Sequence, residues 1–250
     1  MAESPVLYLI NQQYYPEVAS TGQVFQTIAE YLQQQGWTVH VITGTPFYPG
    51  QTQRSPKREL LHGVDVRRLP NTTFPKASFA GKLLNQLTFM LSLLGFVCFR
   101  MERGAVVLVT TAPPLSVVCT SLGVFFRRHR VVLTVQDLYP DVLAASGKSN
   151  PNRLGYRVLH GLMKHSMRAC AHVITISTDM LRHLKYAYGL LEVELINWWC
   201  NIAETSAWRT NTKRCWRRSG CCARRNPFIF KLQVPEAITI DCVTHARRII

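Results

Sequence analysis

Short apolar runs recur along the chain, each closing on polar or proline-bearing residues and most leading into a segment with helical spacing. Residues 6–10 (VLYLI), 105–109 (AVVLV) and 131–135 (VVLTV) show no sustained alternation of polar and apolar positions. Such runs suit strands covered on both faces, as in parallel sheets. Residues 38–43, 172–176 and 193–196 supply three more strands. Between the first two, Val24, Phe25, Ile28, Ala29 and Leu32 form the stripe of an amphipathic helix, closed by Gly36, with Ser20 or Thr21 placed to cap it. Residues 83–99 are the most hydrophobic stretch. Their spacing predicts a helix with Leu83, Leu87, Met90, Leu91, Leu94, Val97 and Cys98 on one face and a small, polar stripe of Asn85, Thr88, Ser92 and Gly95 on another. At seventeen residues, with Asn85, Gln86, Thr88 and Ser92 inside it, the stretch falls short of a membrane span.

Residues 115–126 read as a further helix with Cys119 and Phe125 turned inward. Asn150-Pro151-Asn152 leads into another, with Leu154, Val158, Leu162 and Met163 on one face. Ser177 and Thr178 cap a last helix from 179 to about 188. Residues 63–70 alternate, and after the proline-, glutamine- and basic-rich loop 47–61 they read as an edge strand. Strands alternating with crossover helices imply an α/β fold, a Rossmann-like doubly wound parallel sheet.

In such a sheet ligands bind in the crevice outside the carboxyl ends of the strands. The run at 131–135 opens there into Gln136, Asp137 and Asp141, with Pro140 arguing against an immediate helix. Gly22, at the start of the first helix, permits a close backbone approach, and unpaired N–H groups at that helix terminus favour a phosphate. The chain has no G-x-G-x-x-G, so a dinucleotide-binding fingerprint is absent, and a plain helix-entry turn accounts for Gly22 equally simply.

Charge adds a direction to this picture. The net charge is +15, which draws the chain to phosphates, nucleic acid or lipid headgroups. Residues 201–250 carry ten basic and three acidic side chains, so one fifth of the chain holds nearly half the excess. The helix at 83–99 is flanked by Lys76 and Lys82 before it and Arg100 and Arg103 after it. It is read either as a core helix or as a membrane-surface element attracted to anionic headgroups. No zinc-finger, helix-turn-helix or RNA-recognition pattern is present, which leaves no specific nucleic-acid site. Cys98, Cys119 and Cys170 lie in apolar runs, as small buried hydrophobes do. Cys200, Cys215, Cys221, Cys222 and Cys242 follow no paired C-x-x-C spacing, and no Asp-x-Asp stands at a strand end, so neither a metal nor a cofactor is expected. Nothing before Pro5 resembles a secretory signal, which points to the cytoplasm, with a peripheral place at the inner face of the plasma membrane if residues 83–99 touch lipid.

Several motifs in order carry a family likeness: INQQYYPEVASTGQ at the first strand-to-helix loop, TGTPFYP after the second strand, TTAPPLS, VVLTVQDLYPD, ITISTDM and INWW. Over about residues 6–198 the chain resembles the N-terminal domain of the retaining glycosyltransferases of family 4. Within that family it is most similar to enzymes of bacterial capsule, exopolysaccharide and lipopolysaccharide synthesis. The resemblance implies the GT-B arrangement, two facing Rossmann-like halves, the first receiving the acceptor and the second holding most of a nucleotide-diphosphate sugar. It implies that Thr21 and Gly22 approach the donor's phosphate and sugar, and that Gln136 orients the acceptor hydroxyl. Asp137 takes the place where relatives put an acceptor-contacting or catalytic polar residue, often His. Capping a helix or holding the loop is the structural alternative for Asp137.

Residues 1–199 are thus expected to form the Rossmann-like domain. Residues 200–250 form an atypical Arg- and Cys-rich tail, too short for a second such domain and expected to be a truncated or frameshifted continuation. The implied partners are a nucleotide-sugar donor, engaged only with a second domain, and a glycan or lipid-linked acceptor. The competing reading is a non-catalytic basic protein that binds a membrane surface or nucleic acid.

Overall fold

The computed structural model describes residues 4–17, 20–46, 55–74 and 79–195. The tail at 200–250, the INWW run, Lys76 and the Ser20 side chain lie outside the described residues. The chain runs through β1 (Val6–Ile10), α1 (Ser20–Gln34), β2 (Thr38–Gly44), β3 (Arg58–Leu61), β4 (Val64–Leu69) and α2 (Phe79–Phe99). It continues through β5 (Val106–Thr110), α3 (Ser116–Arg127), β6 (Arg130–Val135), α4 (Asp141–Ala145), α5 (Leu154–Arg168), β7 (His172–Thr175), α6 (Thr178–Ala187) and β8 (Val193–Leu195).

The eight strands lie in the order β3-β4-β2-β1-β5-β6-β7-β8, and every neighbouring pair is parallel except β3–β4. From β1 the chain builds outward through β2 to one edge, returns through α2 to β5 on the other side of β1, and builds the second half. The order therefore reverses between β1 and β5, and a crevice opens at that switch point. The apolar runs explain the arrangement: every residue of β5 and residues 131–135 of β6 are buried, as expected of strands covered on both faces. One core joins alternate residues of these strands, among them Tyr8, Ile10, Val107, Val109, Val131 and Leu133, to α2, α3, α5 and α6. α1 packs on β2 and β4, with Phe25, Ala29 and Leu32 buried.

Several expectations are corrected. Residues 63–70 are not an edge strand: β4 pairs with β2 on one side and β3 on the other, and β3, within the expected loop, is the edge. His62 and Gly63, both at positive φ (49° and 84°), make the tight hairpin turn that joins them. The alternation in β4 spans residues 64–67, with Val64 and Val66 buried on one face and Asp65 and Arg67 half-buried on the other, where Asp65 gathers the charges. α4 starts directly after Pro140; proline restrains the residue before it, while at the helix entrance its missing N–H costs nothing. α2 has 21 residues, and its segment Ala80–Phe99 is long and apolar enough to cross a membrane by length and composition, contrary to the shorter span expected. Its buried hydrophobic side chains are Phe89, Met90, Leu93, Phe96 and Val97, whereas Leu83, Leu87 and Leu91 are exposed. In α3, Cys119 is buried but Phe125 is exposed, and in α5 Leu154, Val158 and Leu162 are exposed while Met163 and Met167 are buried. An apolar stripe fixes a helix's period, but the neighbour chooses which stripe is covered. Ser177 caps α6 as expected, its Oγ accepting from the Asp179 N–H at 3.3 Å.

Asp65 shows how the charged face of β4 is held. Its carboxylate accepts from Arg58 Nε (2.7 Å) and Nη2 (3.1 Å) and Arg67 Nε (2.8 Å), and His40 Nδ1 lies 2.8 Å away. Burial alone would raise its pKa, but the hydrogen bonds from Arg58, Arg67 and His40 prevail and hold it at about 2. A depressed carboxylate stabilises the fold above its unfolded pKa and loses that contribution as pH falls through the folded value. Asp65→Asn is therefore expected to lower the unfolding free energy by about 2 kcal/mol at neutral pH. Urea unfolding should show the difference shrinking between about pH 4 and pH 2; a difference independent of pH would detach it from the charge.

Candidate functional site at the carboxyl edge of the sheet

At the switch point the strand exits are tied to one another by short polar residues. Asn11, directly after β1, is buried; its N–H donates to Ile42 O (3.2 Å) and its Nδ2 to Gln13 O (2.7 Å). Thr110 Oγ1 lies 3.2 Å from both Asn11 Oδ1 and Ala112 O and accepts from the Ala112 N–H at 3.1 Å. Thr111 reaches the other way: its Oγ1 accepts from the backbone N–H of Gln136 (3.0 Å) and of Asp137 (3.2 Å). These bonds set the β6 exit against the β5 exit and leave Asp137 exposed at the rim. Asn11 and Thr111 are the positioning residues that sequence reasoning missed. Their signal was the one used for Gln136 and Asp137, polar side chains directly after an apolar strand.

Among the expected site residues, Thr21 and Gln136 meet. The Thr21 hydroxyl donates to Gln136 Oε1 at 3.2 Å, joining the first turn of α1 to the β6 exit across 115 positions of sequence. Gln136 thus has its carbonyl engaged, leaving its amide N–H groups to donate elsewhere. Thr21 lies one residue inside α1, with its hydroxyl turned to β6. Gly22, beside it, is buried, and a Cβ there would stand 3.2 Å from Gln13 O and 3.5 Å from the Tyr14 Cα. The close approach that glycine permits is to the β1–α1 loop of the chain itself. Asp137 does not cap α4, whose N-cap position is Pro140 and which has no side-chain cap.

Asp141 has a different use. Its Oδ2 accepts from Tyr188 Oη (2.8 Å) and faces His183 Nε2 (2.9 Å), while Oδ1 accepts from the Tyr156 hydroxyl. Burial would raise its pKa, yet the bonds from Tyr156, His183 and Tyr188 hold it below the usual carboxylate range. Burial and the Asp141 carboxylate push Tyr156 up to about 12. This carboxylate ties α4 to α5 and to the end of α6.

On the other side of β1 the strand exits border a polar cleft of about 180 Å³. It is lined by Gln12, Gln13 and Glu17 after β1, Thr45 after β2, Asn71 and Thr72 after β4, and Lys82, Asn85 and Gln86 from α2. Of the small polar stripe of α2, Asn85 lines this wall, and Thr88 and Ser92 fasten the helix to residues 70–72 behind it. Asn85 Oδ1 accepts from Thr72 Oγ1 and from the Phe74 N–H, both at 2.9 Å, and Ser92 Oγ donates to Pro70 O. Amides and hydroxyls in this density can match the alternating donors and acceptors of a polyhydroxyl ligand, with Lys82 as a cation at the rim. Among the described residues no cluster of His, Cys, Asp and Glu could hold a metal ion.

The sequence profile of Glycosyltransferase Family 4 matches residues 21–202. Among solved structures, the chain is similar to sucrose-phosphate synthase from Thermosynechococcus elongatus, with a TM-score of 0.51 and 15% identity over 77% of this chain and 47% of that one. A segment of the same synthase aligns with a TM-score of 0.46 and 14% identity, covering 81% of this chain and 96% of the segment. Alpha,alpha-trehalose 6-phosphate synthase from Burkholderia multivorans aligns with a TM-score of 0.43 and 10% identity, over 74% of this chain and 43% of that one. At these identities the likeness concerns the fold alone. The chain spans about half the length of the full synthase. No curated protein sequence matches it.

Proposed function

The chain belongs to glycosyltransferase family 4, and from that premise we propose that it is the acceptor-side half of a sugar-transferring enzyme. The reaction is transfer from a nucleotide-diphosphate sugar to a glycan or lipid-linked acceptor in bacterial cell-surface polysaccharide synthesis. The observation that carries this reading is the Thr21–Gln136 bond across the sheet, with Asp137 exposed beside it. The start of α1, with Thr21 and Gly22, faces the donor's phosphate, where the helix dipole favours negative charge. Gln136 donates to the acceptor sugar, and Asp137 accepts the hydrogen of the attacking hydroxyl. The enzyme works in the cytoplasm, peripherally at the inner face of the plasma membrane, with α2 in contact with lipid.

Transfer needs the donor sugar held in line with the acceptor hydroxyl, and this proposal gives that task to a second Rossmann-like domain. The Arg- and Cys-rich residues 200–250 are taken as an out-of-frame continuation, which a downstream frame encoding a glycine-rich donor loop would support. The chain alone is expected to give no transfer from a panel of nucleotide sugars. Joined to such a donor domain it should transfer, and Asp137→Ala should lower the rate about 100-fold or more with an unchanged urea midpoint. Turnover by the chain alone overturns the half-enzyme reading, and a full rate in Asp137→Ala removes Asp137 from the site.

A further inference from the structure

α2 is apolar on both of its long sides. Phe89, Leu93, Phe96 and Val97 are buried in the core, and the polar stripe faces residues 70–74. Leu84, Leu87 and Leu91 remain on the outward side, at i, i+3 and i+7, with Leu91 70% exposed. α3 packs on α2 and ends in Phe125 and Phe126, 64% and 69% exposed, and α2 itself ends in Phe99, 80% exposed. The two carboxyl ends lie together: Arg127 Nε donates to Cys98 O at 2.7 Å, and the Gly104 N–H to Arg127 O at 2.9 Å. In the segments that follow the two helices, residues 100–104 and 128–130, Arg100, Arg103, Arg128 and Arg130 are exposed, with Glu102 as the one exposed acid there.

We propose that the outer faces of α2 and α3 form one docking surface for an anionic lipid bilayer, with α2 lying in the plane of the membrane. This rests on the membrane-peripheral reading above and extends it from one helix to a two-helix face with an arginine rim. A spanning role is excluded by geometry, since crossing would strip Phe89, Leu93 and Phe96 from the core. What such a helix can do is lie at the boundary between headgroups and acyl chains, its leucines and phenylalanines inserted and its cations on lipid phosphates. The charge favours lipid over a protein partner, because the rim is almost wholly basic and matches a uniformly negative surface. The same helix gives Lys82, Asn85 and Gln86 to the polar cleft, so docking holds the cleft at headgroup level, where a lipid-linked acceptor presents its polar end.

The test is sedimentation of the full chain with phosphatidylcholine vesicles, with and without phosphatidylglycerol, at low and high salt. The chain should bind only the anionic vesicles and keep part of that binding at high salt, because inserted side chains are not screened. Leu91→Glu with Phe126→Glu should lower binding about tenfold or more, and Arg100→Glu with Arg103→Glu about tenfold at low salt. Urea midpoints and gel-filtration positions should not change in either variant. Native-like binding by the Leu91/Phe126 variant overturns the proposal and leaves the basic tail as the attractant. Equal binding to neutral vesicles overturns the role of the arginines. A native dimer that the Leu91/Phe126 variant dissolves, without vesicle binding, assigns the face to a second copy of the chain. No sugar donor is present, so failure here leaves the transferase reading standing, and failure of sugar transfer leaves this one.

Discussion

Phe89→Ala should lower the unfolding free energy by about 3–5 kcal/mol, whereas Leu91→Glu, two positions along the same helix, should change it by less than about 0.5 kcal/mol. Urea unfolding of the two variants checks both. Phe89 is fully buried in the core that α2 shares with the sheet, so truncation removes its contacts and opens a cavity. The cavity cannot easily close, because α2 is pegged along a third side. The Thr72 N–H donates to Thr88 Oγ1 (3.0 Å), Thr72 Oγ1 to Asn85 Oδ1 (2.9 Å), and Ser92 Oγ to Pro70 O. Sliding the helix inward would break these bonds at once, which places the cost in the upper part of the range for large-to-small changes. Leu91 faces solvent, where a carboxylate is hydrated and displaces nothing. A small effect at Phe89 with a large one at Leu91 would mean that the faces of α2 are reversed, and the bilayer surface would fall with them.

The contrast also shows where sequence reading stopped. The β-branched runs located six strands to within about two residues at their ends, because a strand buried on both faces leaves an uninterrupted apolar signature. The polar exits followed, and Thr21 and Gln136, far apart in sequence, do meet. β3 left no such mark: its RELL sequence borrows its partner from β4 and gives its charges to the Arg58–Asp65 and Glu59–Arg68 pairs. The stripes expected on α2 and α5 divide between covered and exposed positions for a related reason. Leu154, Val158 and Leu162 have the spacing of a buried face, but α5 instead buries Met163, Ser166 and Met167, against neighbours that no local pattern specifies. The clefts were legible as a sheet edge and not as shapes. Thr111 acts through the backbone of residues 136 and 137 and Asn11 through the Thr110 side chain, each brought beside it by a crossover, and the wall of Asn85 and Thr72 exists only once α2 lies against residues 70–74.

Arg68→Met should cost about 3 kcal/mol and loosen the loop that borders the cleft. The Arg68 side chain is 2% exposed at the end of β4. Its Nη1 donates to Pro56 O at 3.0 Å, its Nη2 to Tyr15 O at 2.9 Å, and it pairs with the Glu59 carboxylate. One guanidinium thus joins the β1–α1 loop to the edge hairpin. Methionine fills similar volume but leaves two carbonyls and a carboxylate without their donor, and breaking a buried pair from one side costs about 3–5 kcal/mol. Glu59 is 26% exposed and can turn to water, which sets the expected cost at the low end. Lysine keeps the charge but cannot serve three acceptors in fork geometry, so Arg68→Lys should recover only part of the loss. The second readout is local. Gln12, Gln13 and Glu17 line the cleft, and Tyr15 O is where their loop is tied to β4. Amide exchange of residues 12–17 should therefore accelerate in Arg68→Met by more than the drop in global stability accounts for. Equal acceleration across the whole sheet would reduce Arg68 to a general stabiliser, whereas acceleration confined to the loop makes it the tether that shapes the candidate acceptor wall.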